Sequence, residues 1–430
     1  MTKRLDQNTI AVRPRPAYGR SPKPPEPPVT DTPAATARSQ AETTAFLVIA
    51  AVSLCHLIND VMQSLLAAIY PMLKRDYGLD FWQVGLLTMT FQGTASLLQP
   101  MIGLYTDKKP MPYSLPVGMG STFLGLMVLA FASDYLLLVC GAALIGIGSA
   151  VFHPEASRVA RLASGGRYGL AQSLFQVGGN FGSSLGPLLA AFIVVPRGQA
   201  SVAWFSVIAF VGMAILWQVG GWYARYQARA KQRPKTTRPV TIARHKVVLA
   251  LAILAILTFS KNVYTASISS FYTFYVIDRF GVSVQMSQVM LFVYLGSAAL
   301  GTIIGGPIGD RIGAKAVIWI SILGVLPFTL ALPYASLEWT IVLSAIIGLV
   351  LASAFPAIVV LAQELVPGRV GMVAGIFFGL AFGTAAVAAA LLGIVADAKG
   401  IGFVYWLCSF MPMLGLLTVF LPNLRRAPVA

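Results

Sequence analysis

The sequence contains little charge. Charged residues make up 11% of the 430 residues and hydrophobic residues 57%, whereas a soluble domain carries about 25% charged residues. A soluble chain of this length could not cover its surface with so few charges. The composition therefore excludes a cytosolic enzyme, a nucleic-acid-binding module and a disordered scaffold.

Cysteine and the common catalytic motifs are scarce or absent. Cys55, Cys140 and Cys408 lie inside apolar runs, without the spacing of a zinc site or a disulfide framework. The sequence has no phosphate-binding P-loop, no HExxH motif and no nucleophile elbow. We therefore expect no metal, no cofactor, no ATP hydrolysis and no enzymatic activity. A membrane-embedded enzyme would need clustered carboxylates at one face, and none appear.

What the sequence does contain is long apolar runs. Residues 1–44 are polar and proline-rich, and we interpret them as a disordered tail, with a proline-rich ligand for a partner domain as the alternative. A membrane-spanning helix needs about 20 apolar residues. Twelve runs qualify: 45–73, 82–104, 113–133, 135–157, 168–195, 202–224, 247–277, 284–308, 315–334, 339–363, 371–396 and 401–421. The predicted fold class is an all-α integral membrane protein with twelve transmembrane helices.

Positive charge indicates the orientation of these spans. With the N-terminus in the cytoplasm, nearly all Lys and Arg residues fall in cytoplasmic segments, which predicts that both termini, including a tail at 422–430, are cytoplasmic. Only Lys74, Arg75, Arg197, Arg279 and Lys399 fall on the other side, and Lys261 lies within a span. The linker 225–246 is basic and contains no acid. Anionic lipid headgroups are its expected partner, with RNA a poor alternative.

The two halves of the chain repeat. The same interval separates Pro154 from Pro356 and the tetrapeptide 166–169 from 368–371, and Asp107 is separated from Asp310 by one residue more. We therefore expect two pseudo-symmetric six-helix bundles, 45–224 and 247–421. Such parallel repeats are typical of secondary transporters whose bundles rock about a central site, and they disfavour a passive channel.

Two loops carry a family signature. Residues 103–109 and 306–315 each place a glycine four residues before an acid followed by a base, Asp107-Lys108 and Asp310-Arg311. They resemble the loop signature of the major facilitator superfamily, although Pro110 stands where the first copy would have its following glycine. With the repeat, this resemblance implies the twelve-helix fold of that superfamily.

Longer strings resemble its fosmidomycin-resistance branch. They are 56–64, 152–158, 172–187, 260–275 and 362–369. This resemblance covers the membrane part and implies a monomeric, proton-coupled antiporter that exports fosmidomycin or similar small anionic drugs across a bacterial inner membrane. The alternative is a proton-coupled uptake symporter for a small polar anion such as an organophosphonate, because fold does not fix direction.

The predicted proton-coupling residues are Asp60 and His56. His56, Asn59, Asp60 and Gln63 share one face of the first span. Asp60 lies near the middle of its run, where hydrocarbon favours the protonated form of a carboxylate. A structural hydrogen bond from a protonated Asp60 is the alternative.

The predicted substrate site centres on Lys261, because an ammonium within the membrane needs an anion. The anion would be substrate or a carboxylate such as Asp60. The other predicted substrate-binding residues are Tyr264, Tyr272, His153, Gln63, Gln92, Gln176 and Asn180. For His153 and the amides, helix packing is nearly as good an interpretation.

The predicted gating residues are charged groups at cytoplasmic helix ends. They are Asp107, Asp310, Arg311, Glu155, Arg158, Arg161 and Glu364. Glu155 and Arg158 are three residues apart and are expected to pair. We expect Arg158 or Arg161 to pair with Asp107, and Glu364 to pair with an arginine.

Overall fold

The computed structural model describes residues 44–231 and 243–424, and every regular element in these two ranges is a helix. The predicted N-terminal tail up to residue 43, the middle of the basic linker and residues 425–430 lie outside the described residues. The principal helices are α1 (Phe46–Ala68), α2 (Phe81–Lys108), α3 (Ser114–Ala130), α4 (Tyr135–Ala163), α5 (Tyr168–Leu189), α6 (Ala203–Lys231), α7 (Arg244–Phe280), α8 (Val284–Ile312), α9 (Ala314–Ile318, continued by Trp319–Leu323, Leu326–Ala331 and Leu332–Tyr334), α10 (Leu337–Leu351 and Ala354–Leu365), α11 (Val370–Lys399) and α12 (Ile401–Ser409, continued by Met411–Phe420).

These helices coincide with the predicted apolar runs, and the predicted fold class is confirmed. Within the described ranges, nine helical stretches are long and apolar enough to cross a membrane, and α3 is a shorter apolar helix. Helix α6 continues to Lys231 and α7 begins at Arg244, so both helices extend into the predicted linker 225–246. Large apolar side chains on the outer surface, such as Leu47 at 85% exposed and Phe192 at 74% exposed, suit contact with lipid.

Several helices contain an internal proline or an irregular turn. Pro100, Pro154 and Pro307 lie inside α2, α4 and α8, where each removes a backbone hydrogen bond. The last turn of α5 passes into a π-helical turn at Ala190–Val194. Such irregular backbone is tolerated in a membrane where neighbouring helices surround it.

Glycines allow the two halves of the described chain, 44–231 and 243–424, to touch closely at one end. A side chain at Gly103 of α2 would collide with the Gly371 carbonyl of α11. A side chain at Gly306 of α8 would meet the Gly169 carbonyl of α5 at 2.7 Å. Close packing of this kind is what small residues permit between membrane helices. Asp107 and Asp310 lie near the C-terminal ends of α2 and α8 in this region, which we call the loop end.

Candidate functional site

Asp60 lies in α1 and is the centre of a buried polar cluster. Its side chain is enclosed, and Oδ1 accepts hydrogen bonds from Asn59 Nδ2 at 3.1 Å and Gln63 Nε2 at 3.2 Å. Oδ2 accepts one from the Ser183 hydroxyl of α5 at 3.3 Å. Neighbouring α5 comes this close because Gly179 has no side chain to collide with His56 and Asp60. The cluster therefore depends on the packing of α1 against α5.

Two histidines face the Asp60 carboxylate, His56 from the same helix, α1, and His153 from α4. His56 Nε2 lies 3.5 Å from Oδ2, and His153 Nε2 of α4 lies 3.6 Å from Oδ1. Both imidazoles are buried, and the two rings meet edge to face at 5.0 Å. His153 also packs on Phe378 and Phe382 of α11, so the cluster reaches the other half of the chain.

The Nδ1 atom of each imidazole, which is not the nitrogen nearest to Asp60, has a backbone partner. His56 Nδ1 lies 2.7 Å from the Phe175 carbonyl, and His153 Nδ1 lies 2.9 Å from the Ser149 carbonyl. A carbonyl only accepts, so both Nδ1 atoms donate. In a neutral imidazole the Nε2 atom then carries a lone pair. Two lone pairs and a carboxylate consequently face one another, an arrangement that is stabilised by a proton or a cation between them.

At the loop end, Asp107 joins the two halves of the chain. Its carboxylate accepts hydrogen bonds from the Gly371 and Met372 amides, at 3.0 and 2.8 Å. These amides open α11, so Asp107 caps the N-terminus of a helix from the other half and meets its positive dipole end. Asp310 repeats the contact in reverse, with the Gly169 and Leu170 amides of α5 at 2.8 and 2.9 Å.

Asp107 also belongs to a buried charge network. Arg158 of α4 donates to Asp107 at 2.5 Å and pairs with Glu155 at 2.7 Å. Glu155 accepts further hydrogen bonds from Thr106 and Ser114, at 2.5 and 3.3 Å. The expected Glu155–Arg158 pair is thus present, and Arg158 rather than Arg161 is the arginine that meets Asp107.

The other predicted gating residues are Arg161, Glu364 and Arg311. Arg161 stacks on the Tyr168 ring at 3.9 Å and donates to Gln363 at 3.3 Å, which bridges to Ser157 at 3.2 Å. Glu364 follows Gln363 in α10 and is partly buried. Arg311 is exposed and forms no ion pair with the described residues, so its gating role stays a prediction.

Lys261 lies in α7 but does not pair with Asp60. Its ammonium nitrogen is 3.4 Å from Asn262 Oδ1 and 5.8 Å from the centre of the Phe355 ring. Within the described part of the chain it has no carboxylate partner. The contact with Asp60 that depth in the membrane suggested is therefore wrong for this conformation. Phe355, the ring beside Lys261, packs on Phe378, which in turn packs on His153.

The predicted tyrosines are enclosed rather than open to a ligand. Tyr264 and Tyr272 are 1% and 0% exposed and belong to a cluster with Tyr275 and Tyr405, whose rings stack at 4.0 Å. The Tyr405 hydroxyl donates to the Ser267 carbonyl at 3.1 Å. In this conformation these tyrosines stabilise the packing of α7 against α12.

The predicted amides divide into two groups. Gln63 belongs to the Asp60 cluster and accepts a hydrogen bond from Ser149 at 3.0 Å. Gln176 donates to Asn180 at 3.1 Å, on an exposed part of α5, and Gln92 is partly buried in α2. Asn180 is therefore an accessible polar group, whereas Gln176 is half-buried.

The sequence reasoning missed several members of the site. It predicted His153 as a substrate-binding or packing residue, and the structure places its imidazole beside Asp60. Ser149 precedes His153 by one helical turn, and Ser183 follows Asn180 by nearly one turn. Helical spacing could therefore have found both serines. The contact of His153 with Asp60 could not be found in this way, because it depends on how α4 packs against α1.

Comparison with known proteins gives one consistent result. A sequence profile of the Major Facilitator Superfamily matches residues 52–297 and 254–430. The chain is 57% identical over 383 residues to the fosmidomycin resistance protein of Escherichia coli K12, covering 89% of this chain and 94% of that one. It is 42% identical over 384 residues to the uncharacterized transporter YfnC of Bacillus subtilis, with the same two coverages. The crystal structure of the E. coli fucose:proton symporter FucP superposes with a TM-score of 0.69 at 14% identity, over 89% of this chain and all of that chain.

Proposed function

This chain belongs to the Major Facilitator Superfamily, and on that premise we propose that it exports fosmidomycin or a similar small anionic drug in exchange for protons. It would act in the bacterial inner membrane with both termini in the cytoplasm. The high identity to a fosmidomycin resistance protein supports the substrate. The single observation that carries the proton coupling is the buried Asp60 carboxylate faced by two imidazole nitrogens.

The proposed proton path centres on Asp60. A carboxylate and two neutral imidazoles in a low-dielectric setting gain most from one shared proton, because it removes the repulsion between lone pairs. Ser183 of α5 is exposed and contacts Asp60 Oδ2, which gives the cluster a route to solvent. Asp60 and His56 are therefore the proposed proton carriers, with His153 as a third member.

The proposed anion site is Lys261. Its ammonium has no carboxylate partner among the described residues, so a bound phosphonate would supply the missing charge. Phe355, Phe378 and His153 connect Lys261 to the Asp60 cluster through successive ring contacts. A shift of these rings is the proposed means by which substrate and proton influence one another.

The proposed cytoplasmic gate is the loop end. The two acids cap helices of opposite halves, so the halves cannot separate there without breaking both caps. Opening this end would require α2 to leave α11 and α8 to leave α5. Domain motions of this kind are the usual basis of alternating access.

The direction of transport is tested in everted membrane vesicles. With a proton gradient imposed, fosmidomycin should dissipate the gradient in vesicles that contain the parent protein. Asp60→Asn should abolish this response while the protein still inserts, because Asn cannot exchange a proton. The matched control is Asp397→Asn, an exposed acid near the end of α11, which should respond like the parent.

Two outcomes would contradict the proposal. Dissipation of the gradient by a well-expressed Asp60→Asn protein would remove Asp60 from the coupling. Proton movement in the same direction as substrate would indicate uptake by symport, the alternative that the shared fold leaves open.

A further inference from the structure

The Asp60 cluster also has the composition of a metal site. His56 Nε2, His153 Nε2 and the Asp60 carboxylate oxygens all lie within 4.8 Å of one another, and all three side chains are buried. Neither Nε2 atom has a hydrogen-bond partner in the described residues. Two imidazoles and one carboxylate form a donor set that zinc and neighbouring transition metals prefer.

The distance from each imidazole nitrogen to its nearer Asp60 oxygen is close to a ligand-to-ligand distance of tetrahedral coordination. Zinc binds imidazole nitrogen and carboxylate oxygen at about 2.0–2.2 Å, so two ligand atoms of a tetrahedral site are about 3.4 Å apart. The nitrogen-to-oxygen distances of 3.5 and 3.6 Å are close to that separation. A cation could therefore enter with small side-chain movements.

The surrounding groups hold the donors in the required state. Both Nδ1 atoms donate to backbone carbonyls, those of Phe175 and Ser149, which leaves each Nε2 as the coordinating atom. Asn59 and Gln63 orient the carboxylate. Histidine ligands of metals almost always have such an outer partner, because it fixes both the ring and the tautomer.

A metal ion could reach this cluster, and it would keep one coordination position that no protein ligand fills. Ser183 contacts Asp60 Oδ2 from an exposed part of α5, so an ion can reach the carboxylate along that helix. Three protein ligands leave the fourth tetrahedral position for water. This open arrangement differs from a structural zinc site, whose four ligands all come from protein.

We propose that His56, Asp60 and His153 bind one Zn²⁺ ion, or another divalent transition metal with the same ligand preference. An ion there would be coordinated by the Asp60 carboxylate and by both imidazole nitrogens. It would therefore inhibit any transport step that needs these atoms free. The metal-binding claim goes beyond the proposed export function and does not depend on it, because binding is measured without transport.

The experiment measures Zn²⁺ binding to the purified full chain in detergent by isothermal titration calorimetry. The protein is prepared without a polyhistidine tag, since a tag would bind the ion itself. The chain has three histidines, and His245 is exposed and lies outside the cluster. We expect one ion per parent chain, a loss of affinity of more than about tenfold in His153→Gln, and parent affinity in the matched control His245→Gln.

A second measurement needs no substitution. Co²⁺ added to the parent should show the intense visible absorption of a tetrahedral ion, and Zn²⁺ should displace it. Weak octahedral absorption from Co²⁺, or no saturable binding by the parent, would overturn the proposal. Equal Zn²⁺ affinity in His153→Gln and the parent would overturn it too. If His153→Gln does not fold, the Co²⁺ spectrum alone decides.

Discussion

The two copies of the repeated loop share one contact and differ in another. Asp107 and Asp310 each accept two backbone hydrogen bonds from the first turn of a helix in the other half. Asp107 also meets an arginine, Arg158, which in turn pairs with Glu155. By the repeat interval, the corresponding residues of the other half are Val360 and Ala357.

The helix caps occur in both copies of the repeat, whereas the charge network around Arg158 belongs to the first copy. The helix caps need only an acid and two amides, so both copies retain them. The charge network needs an arginine and a glutamate as well, and in the second copy Val360 and Ala357 instead line a cavity beside Asp310. We therefore expect the first copy to stabilise the loop end more strongly. Substitutions there should lower the melting temperature and the turnover more than substitutions in the second copy.

Arg158→Met should have the largest effect. It leaves Glu155 and Asp107 as buried acids without their base, and breaking a buried ion pair costs about 3–5 kcal/mol. We expect a lower melting temperature in detergent and loss of transport. Val360→Met, at the corresponding position of the other half, is the matched control and should change the melting temperature far less. Equal melting temperatures in the two variants would refute the asymmetry.

Gly103→Ala and Gly306→Ala should have the second-largest effect. Each adds a methyl group where backbone of the opposite half already lies, and such overpacking costs about 1–3 kcal/mol. Both variants should reduce turnover, because the loop end cannot close. Gly309→Ala is the control, since its methyl group would lie 3.5 Å from Val317, an ordinary contact. Parent turnover in Gly103→Ala would show that this close approach is not needed.

Asp310→Ala should have a smaller effect than Asp107→Ala. Loss of a helix cap costs about 0.5–2 kcal/mol, whereas Asp107→Ala also removes the partner of Arg158. Both should lower turnover more than they weaken substrate binding, because the caps lie at the gate rather than at Lys261. Transport kinetics and equilibrium binding on the same preparations separate the two quantities. A large loss of binding with normal turnover would argue against a gate.

Arg311→Ala should have the smallest effect. Its side chain is exposed and forms no ion pair with the described residues, and surface charges contribute about 0–1 kcal/mol. We expect turnover and melting temperature near those of the parent. A loss comparable to that of Arg158→Met would show that Arg311 acts in a conformation other than this one.

The sequence predicted the fold well and the site in part, for physical reasons. Twelve apolar runs and the repeat are local properties, so the helices and the two acids were found. Glu155 and Arg158 were paired correctly because they are one turn apart on α4. The contacts of His153 with Asp60 and of Lys261 with Phe355 were not predicted, because the two partners lie on different helices. Whether His153 reaches Asp60, or Phe355 comes against Lys261, depends on helix packing that spacing along one helix does not encode.

The central claim is that the two acid caps hold the loop end closed, and a distance measurement tests it most directly. Spin labels are placed at exposed Lys109 and Arg369, which flank α2 and α11, in a Cys140→Ser background, because Cys55 and Cys408 are buried. In the parent, pulsed electron paramagnetic resonance should give one short, narrow distance. Asp107→Ala should add a longer population, and Asp107→Ala with Asp310→Ala should make it dominant. A short, narrow distance that persists in the double variant would contradict the claim.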